Sequence, residues 1–170
     1  MNIFVLDENP KLAASYMCDK HIPKMILECA QMLVAVAHRW GISPEDMPLT
    51  KSGTPYKVTH QNHPCTLWAG DSIDNWLWLC EHAFGLIAEY NMRYDKRHAC
   101  DTVIHQIVEM SKWVLPKDRD MTPFAQAMPD EYRDDDAVKA YRAYYHSKTF
   151  AKWEKGTPAP DWWQGIEVIA

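Results

Sequence analysis

Residues 22–41 read IPKMILECAQMLVAVAHRWG, and this stretch decides the fold. Ile22, Met25, Ile26, Cys29, Leu33, Val36, Ala37 and Trp40 recur at three- and four-residue steps, the period of one helical face, and Gly41 stands where a helix C-cap glycine belongs. Pro23 fits the first turn, where the missing N–H leaves no hydrogen bond unmade. A long amphipathic helix here needs apolar partners, and the flanking sequence supplies them. Upstream, Asn9 followed by Pro10 reads as an N-cap with proline at N1, opening a short helix through Met17. Asn2 to Leu6 before it is a short apolar run, either a strand or an extended tail.

Downstream, residues 41–63 hold Pro44, Pro48, Pro55 and Gly53 without periodicity, a long loop. Pro64 opens a third helix, bent near Gly70, whose stripe runs Ile73, Trp76, Leu77, Cys80, Ala83, Phe84, Ile87 and Ala88. Cys100, Val103, Ile104, Ile107, Val108 and Val114 support a fourth, ending before Pro116. The acidic run Asp130 to Asp136 suits the positive end of a fifth, continued by Ala137, Val138, Tyr141, Tyr144 and Tyr145. The reading is a single all-α domain over residues 1–170, of about five helices with long loops and an irregular tail after Gly156.

Composition narrows the setting. A chain of 170 residues buries a core without disulfide or metal staples. Five cysteines, Cys18, Cys29, Cys65, Cys80 and Cys100, form no framework, and the start MNIFVLDEN has no leader pattern, so a reducing cytoplasm is expected. The longest apolar run, Met32 to Ala37, is far below the roughly 20 residues of a membrane helix. The net charge is −5, yet residues 139–155 hold Lys139, Arg142, Lys148, Lys152 and Lys155 against Glu154 alone. One basic segment sits on an acidic body.

Three constellations carry candidate chemistry. His21, Lys24, Glu28 and Gln31 share one helix face, and a histidine, an amine and a carboxylate held together are the ingredients of acid–base or Schiff-base catalysis. The same stripe also fits a solvated helix face. His60-Gln61-Asn62-His63-Pro64-Cys65 runs from loop into helix, and a histidine at a helix N-terminus is held neutral, available as base or donor. With Cys18 and His21, the residues His60, His63 and Cys65 could also supply metal ligands, but the spacing matches no common zinc pattern, and no metal or other cofactor is expected. Residues 140–155, AYRAYYHSKTFAKWEK, interleave rings with cations, a mixture that holds single strands or extruded bases; the competing reading makes Tyr141, Tyr145 and Phe150 core. Lys20, Lys139, Arg142, Tyr144, Lys148, Lys152 and Trp153 are the nucleic-acid-binding candidates.

Three stretches, Lys20-His21-Ile22-Pro23-Lys24, His63-Pro64-Cys65-Thr66-Leu67-Trp68 with Trp76-Leu77, and Met128-Pro129-Asp130-Glu131-Tyr132-Arg133 with the tail ending Trp162-Trp163, occur in an order that resembles the phage-type pyrimidine-dimer DNA glycosylases, the endonuclease V group. The resemblance implies a small helical fold acting on damaged duplex DNA, in which the amine of an N-terminal threonine attacks the sugar C1′ with help from a glutamate. Position 2 is Asn2 instead of that threonine, and a methionine before a residue as large as asparagine is normally retained. His21, between Lys20 and Ile22-Pro23, stands where the family's glutamate is placed, while Lys20 and Lys24 match its phosphate-contacting positions. The expectation is an enzyme acting on a DNA base or nucleotide, with His21 and His63 as acid–base groups, Lys24 as clamp or amine nucleophile, and Glu28 orienting it. The rivals are a non-catalytic nucleic-acid- or protein-binding module on the same scaffold, and a nucleotide enzyme with no DNA contact.

Overall fold

The computed structural model describes residues 1–165, and among them the regular elements are all helical. Six α-helices follow in order: α1 (Pro10–Tyr16), α2 (His21–Arg39), α3 (Pro64–Gly70), α4 (Ile73–Tyr94), α5 (Asp101–Ser111) and α6 (Ala137–Tyr145). The Asn9 side chain caps α1, accepting from the N–H groups of Lys11 and Leu12. Helix α2 starts at His21, two residues before the proline that signals it, and ends in a Schellman motif. Gly41, at φ +117°, turns the chain so that its N–H reaches His38 O while Ile42 N–H reaches Ala37 O.

The bend expected near Gly70 is a break. Ser72 accepts the N–H of Asn75, and the loop at 118–122 satisfies the other free groups at the start of α4: Ile73 N–H donates to Asp118 O and Asp74 N–H to Arg119 O. This gives six helices in place of about five. Helix α5 stops at Ser111, so Val114 lies in the turn beyond it. In the acidic run, Asp130–Tyr132 forms a single 3₁₀ turn, and the side chain of Asp136 caps α6.

Helix α4 packs across α1 and α2, while α2 also meets α3 and α5. Because α4 is covered on two sides, its buried surface is centred on Trp76, Leu79, Ala83 and Leu86. The expected stripe is therefore rotated: Leu77 and Ala88 are exposed and Phe84 is half-buried against His105. The five cysteines are unpaired and buried. Among the described residues, no helix is long and apolar enough to cross a membrane.

The N-terminal run is an extended tail, buried from Asn2 to Leu6 and without strand pairing. Phe4 is held at φ +38°, an uncommon conformation for a residue with a β-carbon, in a ring stack between His21 and Tyr144. Beside it, the loop between α1 and α2 is fixed by Arg93 of α4. The Arg93 side chain is 0% exposed and donates to Ser15 O, Met17 O, Asp19 Oδ1 and Glu89 Oε2. This network sets the position from which Lys20, His21 and Lys24 project.

Candidate active site

The chain start lies against the middle of the polar stripe of α2. Asn2 fixes it: its Oδ1 accepts from the N–H groups of Ile3 and Phe4, and its Nδ2 donates to Ala127 O at 2.7 Å. The Asn2 backbone N–H then donates to Glu28 Oε2 at 2.8 Å, and the α-amino nitrogen of Met1 is 3.9 Å from the same oxygen. Lys24 Nζ lies 3.9 Å from the other oxygen, Oε1. The Glu28 side chain is 10% exposed and the Lys24 side chain 64%. One enclosed carboxylate is thus shared by a backbone N–H and two amino groups, both at ion-pair distance. The Met1 side chain is tucked in, with Thr66 Oγ1 donating to its sulfur at 3.5 Å.

His63 caps α3, and its Nδ1 accepts the Cys65 N–H at 3.1 Å, which leaves the proton of the neutral ring on Nε2. Partial burial depresses its pKa first, and the positive charges of the Met1 amino group and His60 depress it further. The first of those charges is the amine that Glu28 also faces. Lys24 and Glu28 therefore meet at the chain start, with His63 at the head of α3.

His21 faces elsewhere. Its ring is buried, stacks on Phe4 at 4.8 Å, meets Phe150 edge-on and shares a 3.0 Å hydrogen bond through Nδ1 with the Tyr145 hydroxyl. Burial above all, then the charges of Lys24, Lys148 and Lys20, brings its pKa down to about 3. It forms a neutral aromatic wall ringed by lysines. Among the described residues, no three His, Cys, Asp or Glu side chains are placed to hold a metal ion; His63 is a helix cap and Cys65 is buried, its thiol pushed up to about 12 mainly by that burial.

The basic segment divides. Lys148 Nζ sits 3.7 Å over the half-buried Tyr144 ring and Lys20 Nζ 4.8 Å over Phe150, so both ammonium groups border the His21 wall. Lys152 is exposed. Lys139 is paired with Asp134 at 3.0 Å. Arg142 is engaged internally, donating to Leu6 O at 2.9 Å and to Asp7, with its guanidinium over Trp162. Trp153 donates its indole N–H to Tyr16 O. In the expected alternation of rings and cations, Tyr141 and Tyr145 are core and Phe150 is exposed.

Sequence reasoning noticed Asn2 only as a departure from threonine. Its amide clamp and its link to Glu28 depend on Ala127 and on the folding of the tail across α2, which no local pattern carries. No curated protein and no solved structure matches the chain. The family model for pyrimidine dimer DNA glycosylase matches residues 1–102, the stretch that holds the chain start, Lys24, Glu28 and His63, and the chain belongs to that family.

Proposed function

We propose that this chain is a DNA glycosylase of the amine-nucleophile type, acting on a damaged deoxynucleotide of the kind its family name describes, with Glu28 as the carboxylate that serves the amine. The observation that carries this reading is the position of Glu28 Oε2, 2.8 Å from the nitrogen of residue 2 and 3.9 Å from that of residue 1. In a mature chain starting at either residue, the α-amine lies against this carboxylate. His21 occupies the glutamate's place in the sequence motif, and Glu28, two turns further along α2, occupies the place beside the amine.

The chemistry follows from the groups present. Glu28 takes a proton from the α-ammonium, and the freed amine attacks C1′ of the sugar. The N–C1′ bond forms as the glycosidic bond breaks, and the departing base takes the bonding pair and a proton. His63, with its proton on Nε2, supplies that proton. The attached nitrogen then loses a proton and its lone pair expels the ring oxygen, which takes up a proton to become a hydroxyl as the C1′–O4′ bond breaks, giving an iminium between protein and sugar. Lys20, Lys24 and Lys148 hold phosphates on the rim, and His21, neutral down to about pH 3, shapes the wall behind them.

Borohydride trapping tests this on duplexes carrying an abasic site or an ultraviolet-induced dimer, with the adduct mapped by peptide mass spectrometry. The expected result is a covalent adduct on the first residue of the mature chain. Tight binding to both duplexes with no adduct and no base release would instead make the chain a non-catalytic DNA-binding module.

A further inference from the structure

Phe4, at φ +38°, is held in a backbone conformation that persists only where its surroundings impose it. Four rings impose it here. His21 of α2 and Tyr144 of α6 stack on the Phe4 ring, at 4.8 and 6.0 Å between centroids, and Tyr141 and Tyr145 of α6 stand T-shaped to it at 6.1 and 5.5 Å. The backbone turns at once: Leu6 N–H donates to Phe4 O at 2.7 Å, and Arg142 of α6 donates to Leu6 O at 2.9 Å.

The tail has its other anchor at Asn2. The Phe4 N–H donates to Asn2 Oδ1 at 3.1 Å, and the Asn2 N–H donates to Glu28 Oε2 at 2.8 Å. His21 and Glu28 belong to one helix and stand about 10 Å apart along its axis. The tail thus lies along α2, with the ring of residue 4 seated at His21 and the nitrogen of residue 2 at Glu28. Tyr141 closes the frame from the other side. Its hydroxyl donates to Ala125 O at 2.6 Å and accepts the Ala127 N–H at 3.2 Å, and Ala127 O accepts the side-chain N–H of Asn2. Helix α6 therefore governs both ends of the Asn2 amide, Oδ1 through Phe4 and Nδ2 through Ala127.

We infer that Phe4 is a positioning residue for the amine, with His21 as its seat: the rings fix the Phe4 backbone, the Phe4 N–H fixes the Asn2 side chain, and Asn2 presents the chain start to Glu28. This role rests on the amine chemistry proposed above. It accounts for a histidine at the motif position where the resemblance puts a glutamate. An imidazole stacks on Phe4 while its Nδ1 meets the Tyr145 hydroxyl at 3.0 Å, whereas a carboxylate has no face to stack and would be charged at a position only 3% exposed. An amine misplaced by about 1 Å reacts roughly 10²-fold more slowly, so the cage bears on rate although the Phe4 ring sits at the His21 end of the tail.

The test is single-turnover borohydride trapping by the full chain on a saturating abasic duplex, measured beside the dissociation constant for that duplex. Phe4→Gly is the informative variant, because glycine adopts φ +38° freely, so the turn survives and only the ring is removed. The expected result is a trapping rate lower by roughly 10²-fold with the dissociation constant unchanged. His21→Ala should behave alike, and His21→Phe, which keeps a ring to stack and has no acid–base group, should restore the rate. Equal losses of rate and affinity in Phe4→Gly would make the ring a general support of the fold and overturn the inference. Full trapping in that variant, or a His21→Phe rate as low as that of His21→Ala, would overturn it too. Hydrogen exchange of the Ile3 amide, which donates to Asn2 Oδ1 at 2.8 Å, reads the tail without any chemistry. Protection that is present in the parent and lost in Phe4→Gly supports the clamp even where the parent yields no adduct, a result that refutes the amine chemistry alone. A parent that traps, beside a Phe4→Gly variant that traps and stays protected as the parent does, refutes the clamp alone.

Discussion

Arg93 and Asp19 form a buried ion pair at 3.1 Å, across 74 residues of sequence, and it ties α4 to the loop that launches the polar face of α2. Asp19 extends the tie to the C-terminal segment, accepting the Glu154 N–H on Oδ2 and donating its own N–H to Lys152 O. Removing the guanidinium strands a carboxylate and two carbonyl oxygens away from water. Arg93→Met should therefore destabilise the fold by about 3–5 kcal/mol, read as a shift of the urea midpoint. A change within the error of the melts would mean that the network is solvated.

Two buried histidines make stability depend on pH. His82 is fully enclosed, stacks on Trp78, donates to Pro10 O through Nδ1 and has a pKa brought down to about 4 by burial. His21 titrates at about 3. In the unfolded chain both take protons near pH 6.5, so between pH 6.5 and 4 the unfolded state binds more protons and stability falls as pH falls. Above pH 6.5 neither contributes a pH dependence. Each should remove about 2 kcal/mol by pH 5. Urea melts at pH 7.5 and pH 5 measure the sum, and His82→Gln should flatten the difference by about half. Equal stability at the two pH values would place both rings in solvent.

DNA affinity should depend on salt through the rim lysines and not through Arg142. Alanine at Lys20, Lys24 and Lys148 should flatten the slope of log affinity against log salt by about 0.9 for each duplex phosphate that is no longer neutralised. Arg142→Ala should leave that slope alone and lower the melting temperature, since its hydrogen bonds go to Leu6 and Asp7. The opposite pattern would assign phosphate binding to Arg142 and a solvated role to the lysines.

Much of the fold was legible because its signals are local. Asn9-Pro10 and Gly41 mark helix ends through their own backbone chemistry, and the α2 stripe is buried as its spacing predicts. The break before α4 was hidden because Ser72 succeeds as a cap only with the loop at 118–122 supplying acceptors for the next N–H groups. The phase of α4 was misjudged because a helix packed on two sides buries an arc wider than one stripe, and Asn75 and His82 sit within that arc, held by tertiary hydrogen bonds. In the site, Lys24, Glu28 and His63 stood out as residue types, but the partner that gives Glu28 its meaning is the chain start, 26 residues away. Arg142 and Trp153 looked like ligand-binding groups because a cation or indole bound to a distant carbonyl has the same sequence signature as one facing DNA.

The corrected phase of α4 is itself testable. Trp76 is 2% exposed and packs on Trp40, so Trp76→Ala should destabilise by about 3–5 kcal/mol. Phe84, half-buried, should cost clearly less on truncation to alanine. Equal destabilisation in parallel denaturant melts would restore Phe84 to the core.

Glu28 stands between two candidate amines. Its two oxygens face different amino groups, Met1 on Oε2 and Lys24 on Oε1, at the same 3.9 Å. They differ in surroundings, because the Lys24 ammonium stands largely in water among the rim lysines whereas the chain start is fixed by Asn2 and Thr66. A nucleophile gains most from being held in place, which favours the α-amine and leaves Lys24 as a phosphate clamp. Lys24→Arg should then keep borohydride trapping while changing the salt dependence little, since the guanidinium preserves the charge and lacks only the amine. Glu28→Gln keeps an acceptor for the Asn2 N–H and removes the base, so single-turnover base release should drop by roughly 10² to 10⁴-fold with the melting curve preserved. His63→Ala should reduce base release without reducing trapping on a preformed abasic site, where no base remains to be protonated. Loss of trapping in Lys24→Arg, with the adduct on Lys24 in the parent protein, would move the nucleophile to Lys24. Full activity in both Glu28→Gln and Lys24→Arg would reduce the stripe on α2 to a structural face.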